Sequence, residues 1–103
     1  MRLLRIRVSS DARAQINEVA AWWRANRKAA PGLFRAELAD ALDSLARSPE
    51  LGTSYYDTPL SDVRQLLMLR TRYHLYYTID LARGEVFIRA LWHTSRGDGP
   101  PIR

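Results

Sequence analysis

Apolar and basic residues alternate at the start of the chain. Leu4, Ile6 and Val8 fall on one side and Leu3, Arg5 and Arg7 on the other, which predicts a half-buried strand over residues 2–8. Ser9-Ser10-Asp11 supplies a helix N-cap with an acid in the first turn. From Ala12 the period becomes helical, with Ile16, Val19, Ala20 and Trp23 on one face and Arg13, Asn17 and Arg24 opposite. Ala30-Pro31-Gly32 breaks the pattern, and Pro31 is placed to open a second helix. Phe34, Leu38, Ala41, Leu42 and Leu45 form its apolar stripe, which stops at Ser48-Pro49-Glu50-Leu51-Gly52. Two helices joined by a short turn, each with one apolar face, predict a helical hairpin laid on a sheet.

Residues 50–62 read as loop. Val63–Arg70 and Tyr73–Ile79 then read as strands parted by Thr71-Arg72, the spacing of a tight hairpin. A second turn over Asp80–Gly84 leads into a strand at Glu85–Trp92, and Tyr73, Tyr76, Tyr77, Val86, Phe87 and Ile88 are residue types that strands favour. Gly97-Asp98-Gly99-Pro100-Pro101 holds no regular structure, so a flexible tail is expected over about residues 97–103. The order is β-α-α-β-β-β. It predicts an α+β fold with a helical hairpin packed on an antiparallel sheet.

A chain of 103 residues without a linker-like stretch reads as one domain. Its length lets folding bury roughly 60–68% of the unfolded surface, enough for an ordinary core. The absence of cysteine excludes disulfides and thiolate metal sites, in keeping with a reducing cytoplasm. The opening residues lack the apolar run of a signal peptide, and no stretch approaches the roughly 18 apolar residues of a membrane span, so a cytoplasmic protein is expected. Sixteen basic against 11 acidic residues give a net charge of +5, and every cation but Lys28 is arginine. Such a balance favours an anionic partner, whether nucleic acid or acidic protein, although a codon bias toward arginine would produce it too. Seven arginines from Arg64 to Arg103 face only Asp80, Glu85 and Asp98, so most of the excess charge lies in the β half.

Several segments of the C-terminal half carry a resemblance. Val63-Arg64-Gln65-Leu66-Leu67, Tyr73-His74-Leu75-Tyr76-Tyr77 and Val86-Phe87-Ile88-Arg89-Ala90-Leu91-Trp92-His93, followed by Arg96, resemble the RelE/ParE superfamily of toxins. Ser48-Pro49-Glu50-Leu51-Gly52 at the end of the second helix is similar as well, and the likeness covers nearly the whole chain. It implies the toxin component of a type II toxin–antitoxin pair, held in check by a separate, acidic antitoxin chain. RelE-type members cut mRNA on the ribosome, ParE-type members inhibit DNA gyrase, and other relatives keep the fold with unknown or lost targets.

A nuclease needs a base for the attacking 2′-hydroxyl, cations for the phosphorane charge and an acid for the leaving oxygen. The nuclease branch draws these from lysines, arginines and a tail tyrosine, or from His and Glu. Here the strand that would carry the lysines reads Gln65-Leu66-Leu67-Met68-Leu69, and no tyrosine follows Arg96. His74, Arg89, His93 and Arg96 remain as a catalytic set should the protein be a nuclease. Strand alternation predicts Arg89, Leu91 and His93 on one face and His74 with Tyr76 and Thr78 on one face. The bland alternatives are a strand-ending His93 and a half-exposed His74. The closing segment Trp92-His93-Thr94-Ser95-Arg96 and the long first helix look closer to the ParE branch, which needs only a complementary surface.

Trp22, Arg64, Leu66, Met68, Arg70, Arg72 and Arg96 are the candidate contacts for antitoxin or target. Leu66 and Met68 are expected to present an open apolar strip that an antitoxin could cover. The two histidines lie 19 residues apart in sequence, with no carboxylate at helical spacing, and the chain has no Gly-rich phosphate loop. No metal or cofactor is expected. The most concrete reading is a toxin that acts by binding, with gyrase the first candidate target.

Overall fold

The structure, a computed structural model, describes residues 3–102. Strand β1 (Arg5–Val8) leads into helices α1 (Ser10–Asn26) and α2 (Leu33–Arg47), and a short 3-10 turn (Pro49–Leu51) follows. Strands β2 (Thr53–Ser54), β3 (Arg64–Met68), β4 (Tyr73–Asp80) and β5 (Glu85–His93) complete the chain. The sheet order is β1-β5-β4-β3-β2. The expected α+β architecture of a helical hairpin on a sheet is therefore present, with a two-residue strand added before β3.

The helices form where the sequence places their caps and stripes. Ser9 is the N-cap of α1 and its Oγ accepts the Ala12 N–H at 3.0 Å. Ala12, Ile16 and Ala20 of α1 and Phe34, Leu38 and Leu45 of α2 are buried. They meet Met68, Tyr73, Leu75, Tyr77, Val86, Ile88 and Leu91 from the sheet in the main core. Helix α2 opens at Leu33 with Gly32 as its N-cap, so Pro31 precedes the helix rather than opening it. Leu4, Ile6 and Val8 pack against the same core, as their alternation predicts.

Three features depart from the expectations. First, β1 pairs with β5 in parallel, so the sheet is mixed rather than wholly antiparallel. A parallel pair needs a long crossover, and the helical hairpin lies within the one that joins these strands. Glu85, only 7% exposed, is held there by Arg5 at 2.9 Å and Arg7 at 3.2 Å. Second, the β3–β4 turn takes four residues, 69–72, instead of two. The Arg72 N–H donates to the Met68 carbonyl at 2.8 Å, and Arg72 adopts φ 69°, a left-handed conformation uncommon outside glycine. Third, β4 and β5 slip register between Tyr76 and Tyr77, so that Arg89 is the extra residue of a bulge between Ile88 and Ala90.

The 97–103 tail does not lie open over its described residues. Ile102 is 6% exposed and packs with Val63, Tyr76 and Ala90, partly covered by Tyr55 and Trp92, on the sheet face away from the helices. The Trp92 Nε1–H donates to the Asp98 carbonyl at 2.7 Å. Glycine and proline forbid helix or strand, but an extended segment can still carry one buried apolar anchor, and its two prolines lower the entropy lost on docking. Arg103 lies outside the described residues.

The Ser48–Gly52 segment is anchored from the sheet. The Tyr77 hydroxyl donates to the Pro49 carbonyl at 2.7 Å and accepts the Gly52 N–H at 2.9 Å, all in the interior. Arg64 donates to the Gly52 carbonyl at 2.7 Å and more weakly to that of Glu50 at 3.4 Å.

Candidate functional site

The turn between β3 and β4 divides two concave surfaces. On one side α2 and β3 enclose a groove of about 330 Å3, floored by Leu66 and Met68 and flanked by exposed Leu51 and Leu69. On the other side α1 and the end of β5 enclose a larger cleft of about 790 Å3, lined by Trp22, Trp23, Tyr73, Trp92 and His93. Arg70 borders both.

Glu37 of α2 holds the dividing turn in place. Its carboxylate accepts the Arg70 N–H at 2.7 Å, the Thr71 N–H at 2.9 Å and the Thr71 hydroxyl at 2.6 Å. Burial alone would raise its pKa, but the Thr71 hydroxyl, the two backbone N–H groups and the nearby Arg70 charge together hold it below the ordinary carboxylate value. A lowered folded-state pKa means that the carboxylate stabilises the fold above its unfolded pKa. That contribution is lost as pH falls through the folded value. Glu37→Gln should cost about 1–2 kcal/mol at neutral pH, since it weakens bonds made to a charged acceptor. Urea melts at neutral pH and near pH 3 check this, and the difference from the parent should narrow at the lower pH.

The groove corrects the expectation for Leu66 and Met68. Both are on the helix side of β3, with Met68 2% exposed in the main core and Leu66 packed partly against it. Leu67 is the residue paired with His74 on the other face. The solvent-facing apolar groups here are Leu69 and Leu51, 71% and 53% exposed. Among the described residues, β2 pairs only with Arg64 and Gln65, so the outer edge of β3 from Leu66 onward carries no strand. An exposed edge beside an apolar groove is the geometry that strand addition by a partner uses.

The histidine and arginine set does not converge. His74 is on the face away from the helices, its ring 5.9 Å from that of Tyr76. Burial lowers the His74 pKa and pushes that of Tyr76 up to about 12, the latter with help from Tyr55. His93 is on the helix side, its ring 4.8 Å from Tyr73, which in turn packs edge-on against Phe34. The sheet itself separates the two rings. Nor does Arg89 share a face with Leu91 and His93. The bulge turns it to the opposite side, where its Nε donates to Thr78 Oγ1 at 3.0 Å and its guanidinium lies 4.7 Å from the Phe87 ring centre. Arg96 stacks on Trp92 at 4.1 Å.

Of the expected partner contacts, Trp22, Arg70 and Arg96 line the larger cleft, and Leu66, Met68 and Arg70 line the smaller groove. Arg72 is exposed on the turn. Arg64 is engaged with the Gly52 and Glu50 carbonyls, which gives it a structural task. Two residues not anticipated from the sequence shape the site. Glu37 fixes the turn, and the Gln15 Oε1 accepts the Leu91 N–H at 2.8 Å next to the bulge. Both are polar residues on helices that contact backbone 34 and 76 residues away, and no local pattern signals such contacts.

The described residues contain no group of three or more His, Cys, Asp or Glu side chains that could hold a metal ion. No helix among them is long and apolar enough to cross a membrane.

Two helices packed on a five-stranded mixed sheet match the fold of RelE and ParE toxins. The likeness to solved structures is consistent with this. The chain superposes on a chain of the toxin–antitoxin complex RelBE2 from Mycobacterium tuberculosis with a TM-score of 0.67 and 23% identity, covering 95% of this chain and 97% of that one. A chain of the chromosomal ParDE system from P. aeruginosa gives a TM-score of 0.67 at 12% identity, covering 88% and 96%. A free-state mutant of the E. coli toxin RelE gives 0.57 at 14% identity, covering 90% and 85%. No curated protein matches the sequence. Residues 6–97 match the family model described as the ParE toxin of the type II toxin–antitoxin system parDE, and the chain belongs to that family.

Proposed function

We propose that this toxin acts in the cytoplasm by binding DNA gyrase, without hydrolytic chemistry of its own, and that a separate acidic antitoxin neutralises it. The observation that carries this reading is the division of His74 and His93 between opposite faces of the sheet. Acid–base cleavage needs both partners within hydrogen-bond reach of one phosphodiester. Gln65 and Leu67 add no charge to the face that bears His74, and Arg89, which the bulge turns onto that face, is held against Thr78 and Phe87. Inhibition by binding makes no such demand, and the arginine-rich, aromatic β half has the residue types enriched at interface hot spots.

The antitoxin is assigned to the groove between α2 and β3. Its backbone would extend the β3 edge, and its apolar side chains would cover Leu66, Leu69 and Leu51. Inducible expression in a bacterial host, with labelled thymidine and labelled amino acid followed in parallel, tests the reading. DNA synthesis should fall first while translation continues. Prompt loss of translation with cleaved mRNA would instead indicate a ribosome-dependent endoribonuclease. No effect from a folded protein would indicate an inactive relative that only binds an antitoxin.

A further inference from the structure

Trp22 and Trp23 stand side by side on the larger cleft, and Trp92 borders its end from β5 with its indole turned to the opposite sheet face, against Val63, Tyr76 and Ile102. Each carries a guanidinium. Arg27 lies 4.8 Å from the Trp22 ring centre and 5.7 Å from that of Trp23, and Arg96 lies 4.1 Å from Trp92. Arg70 completes the rim. Among the described residues, Arg5, Arg7, Arg47 and Arg83 form salt bridges and Arg27, Arg70 and Arg96 do not. Glu37, the acid nearest Arg70 in effect, has its oxygens committed to the turn. Three arginines against the single carboxylate of Glu18 leave the cleft lining net positive, which creates a field that attracts an anion beside its aromatic walls.

Other donors face the same space. The Ser95 N–H donates to His93 Nδ1 at 3.0 Å, so the neutral ring carries its proton on Nε2. Glu18 at the rim, together with the amide nitrogen that Gln15 does not use on Leu91, offers one acceptor and one donor.

We propose that this cleft binds a nucleoside phosphate. The base lies on an arginine-capped indole, its edge reaches Glu18 and Gln15, and the phosphates engage Arg70 and Arg96. Guanidinium planes stacked on indoles offer flat π surfaces to a base, and their N–H forks match phosphate oxygens. An acidic peptide would satisfy the charge but leave those faces unused. The exposed aliphatic side chains that such a peptide would cover, Leu51 and Leu69, are on the other groove, whereas the exposed apolar residue of this cleft is the aromatic Trp22. A volume of about 790 Å3 falls in the range of small-molecule sites. The cleft is on the helix side of the sheet, apart from the face that bears Gln65, Leu67 and His74, and the assignment stands independently of the gyrase reading.

Because Trp22 and Trp23 stand on the cleft, intrinsic fluorescence reports on it. The full chain should be titrated with ADP and GDP and, separately, with inorganic phosphate, a short single-stranded oligonucleotide and an acidic peptide of matched charge. Saturable quenching by a nucleoside diphosphate is expected, with affinity reduced at least about tenfold in Arg70→Ala and in Arg96→Ala, as loss of a charge-assisted contact implies. Both arginines are exposed, so neither variant threatens the fold. No saturable quenching by either nucleotide would overturn the proposal, as would phosphate binding as tightly as the nucleotides. Tighter binding of the peptide or the oligonucleotide would overturn it too, as would arginine variants that bind like the parent.

Discussion

Gly52→Ala should destabilise the protein by about 3–4 kcal/mol, combining overpacking with the loss of buried hydrogen bonds. The reason is space, since φ at Gly52 is −73° and any residue can adopt it. A Cβ there would stand 2.6 Å from the Gln65 carbonyl oxygen and 2.6 Å from the Tyr77 hydroxyl. Neither atom can yield freely. The first is backbone of β3, and the second is pinned between the Pro49 carbonyl and the Gly52 N–H. Relieving the clash would pull the turn off the sheet and release Arg64 from the Gly52 carbonyl. Gly32→Ala is the control. Nothing lies within 4 Å of its Cβ position, so urea denaturation should move it by no more than about 0.5–1 kcal/mol. Comparable losses in both variants would show that helix capping or backbone entropy, not close approach, governs Gly52.

Met68→Asp should be the most damaging change at the groove. Met68 is 2% exposed among core residues, so the new carboxylate would have no compensating partner, at a cost of about 4 kcal/mol or more. Against a total stability of about 5–15 kcal/mol, much of the population would be lost to unfolding and to proteolysis in the cell. Leu69→Asp, by contrast, alters a side chain 71% exposed and should leave stability within about 0.5 kcal/mol. Under the proposed antitoxin placement it should still release the antitoxin in co-purification, because it puts charge on the apolar rim. Full antitoxin retention by a folded Leu69→Asp variant would remove the groove from the interface.

These two residues also show where the sequence is informative and where it is not. Ser9, Ile16, Ala20, Phe34, Leu38 and Leu45 announce both helices because caps and 3.6-residue stripes are local. The fold class follows from them and from the strand-rich second half. In β3 the alternation fails as a guide, because Leu66, Leu67, Met68 and Leu69 are all apolar and none marks the solvent side. Which side Met68 takes is set by the register with Tyr73. The same ambiguity hides the bulge in β5. Ile88, Ala90 and Leu91 are apolar on either parity, so nothing local shows that Arg89 is skipped and that His93 has changed faces. The parallel pairing of β1 is a matter of chain path, which residue pattern does not encode. The tail misleads for a further reason. Its glycines and prolines speak to backbone regularity, whereas its position is set by the buried Ile102 and the Trp92 bond to the Asp98 carbonyl.

The supercoiling of relaxed plasmid by purified gyrase, measured with and without this protein, tests the central claim most directly. The account predicts loss of supercoiling with accumulation of cleaved plasmid, unchanged in a His74→Ala, His93→Ala double variant. Unimpaired gyrase, together with ribosome-dependent mRNA cleavage that the double variant abolishes, would contradict it.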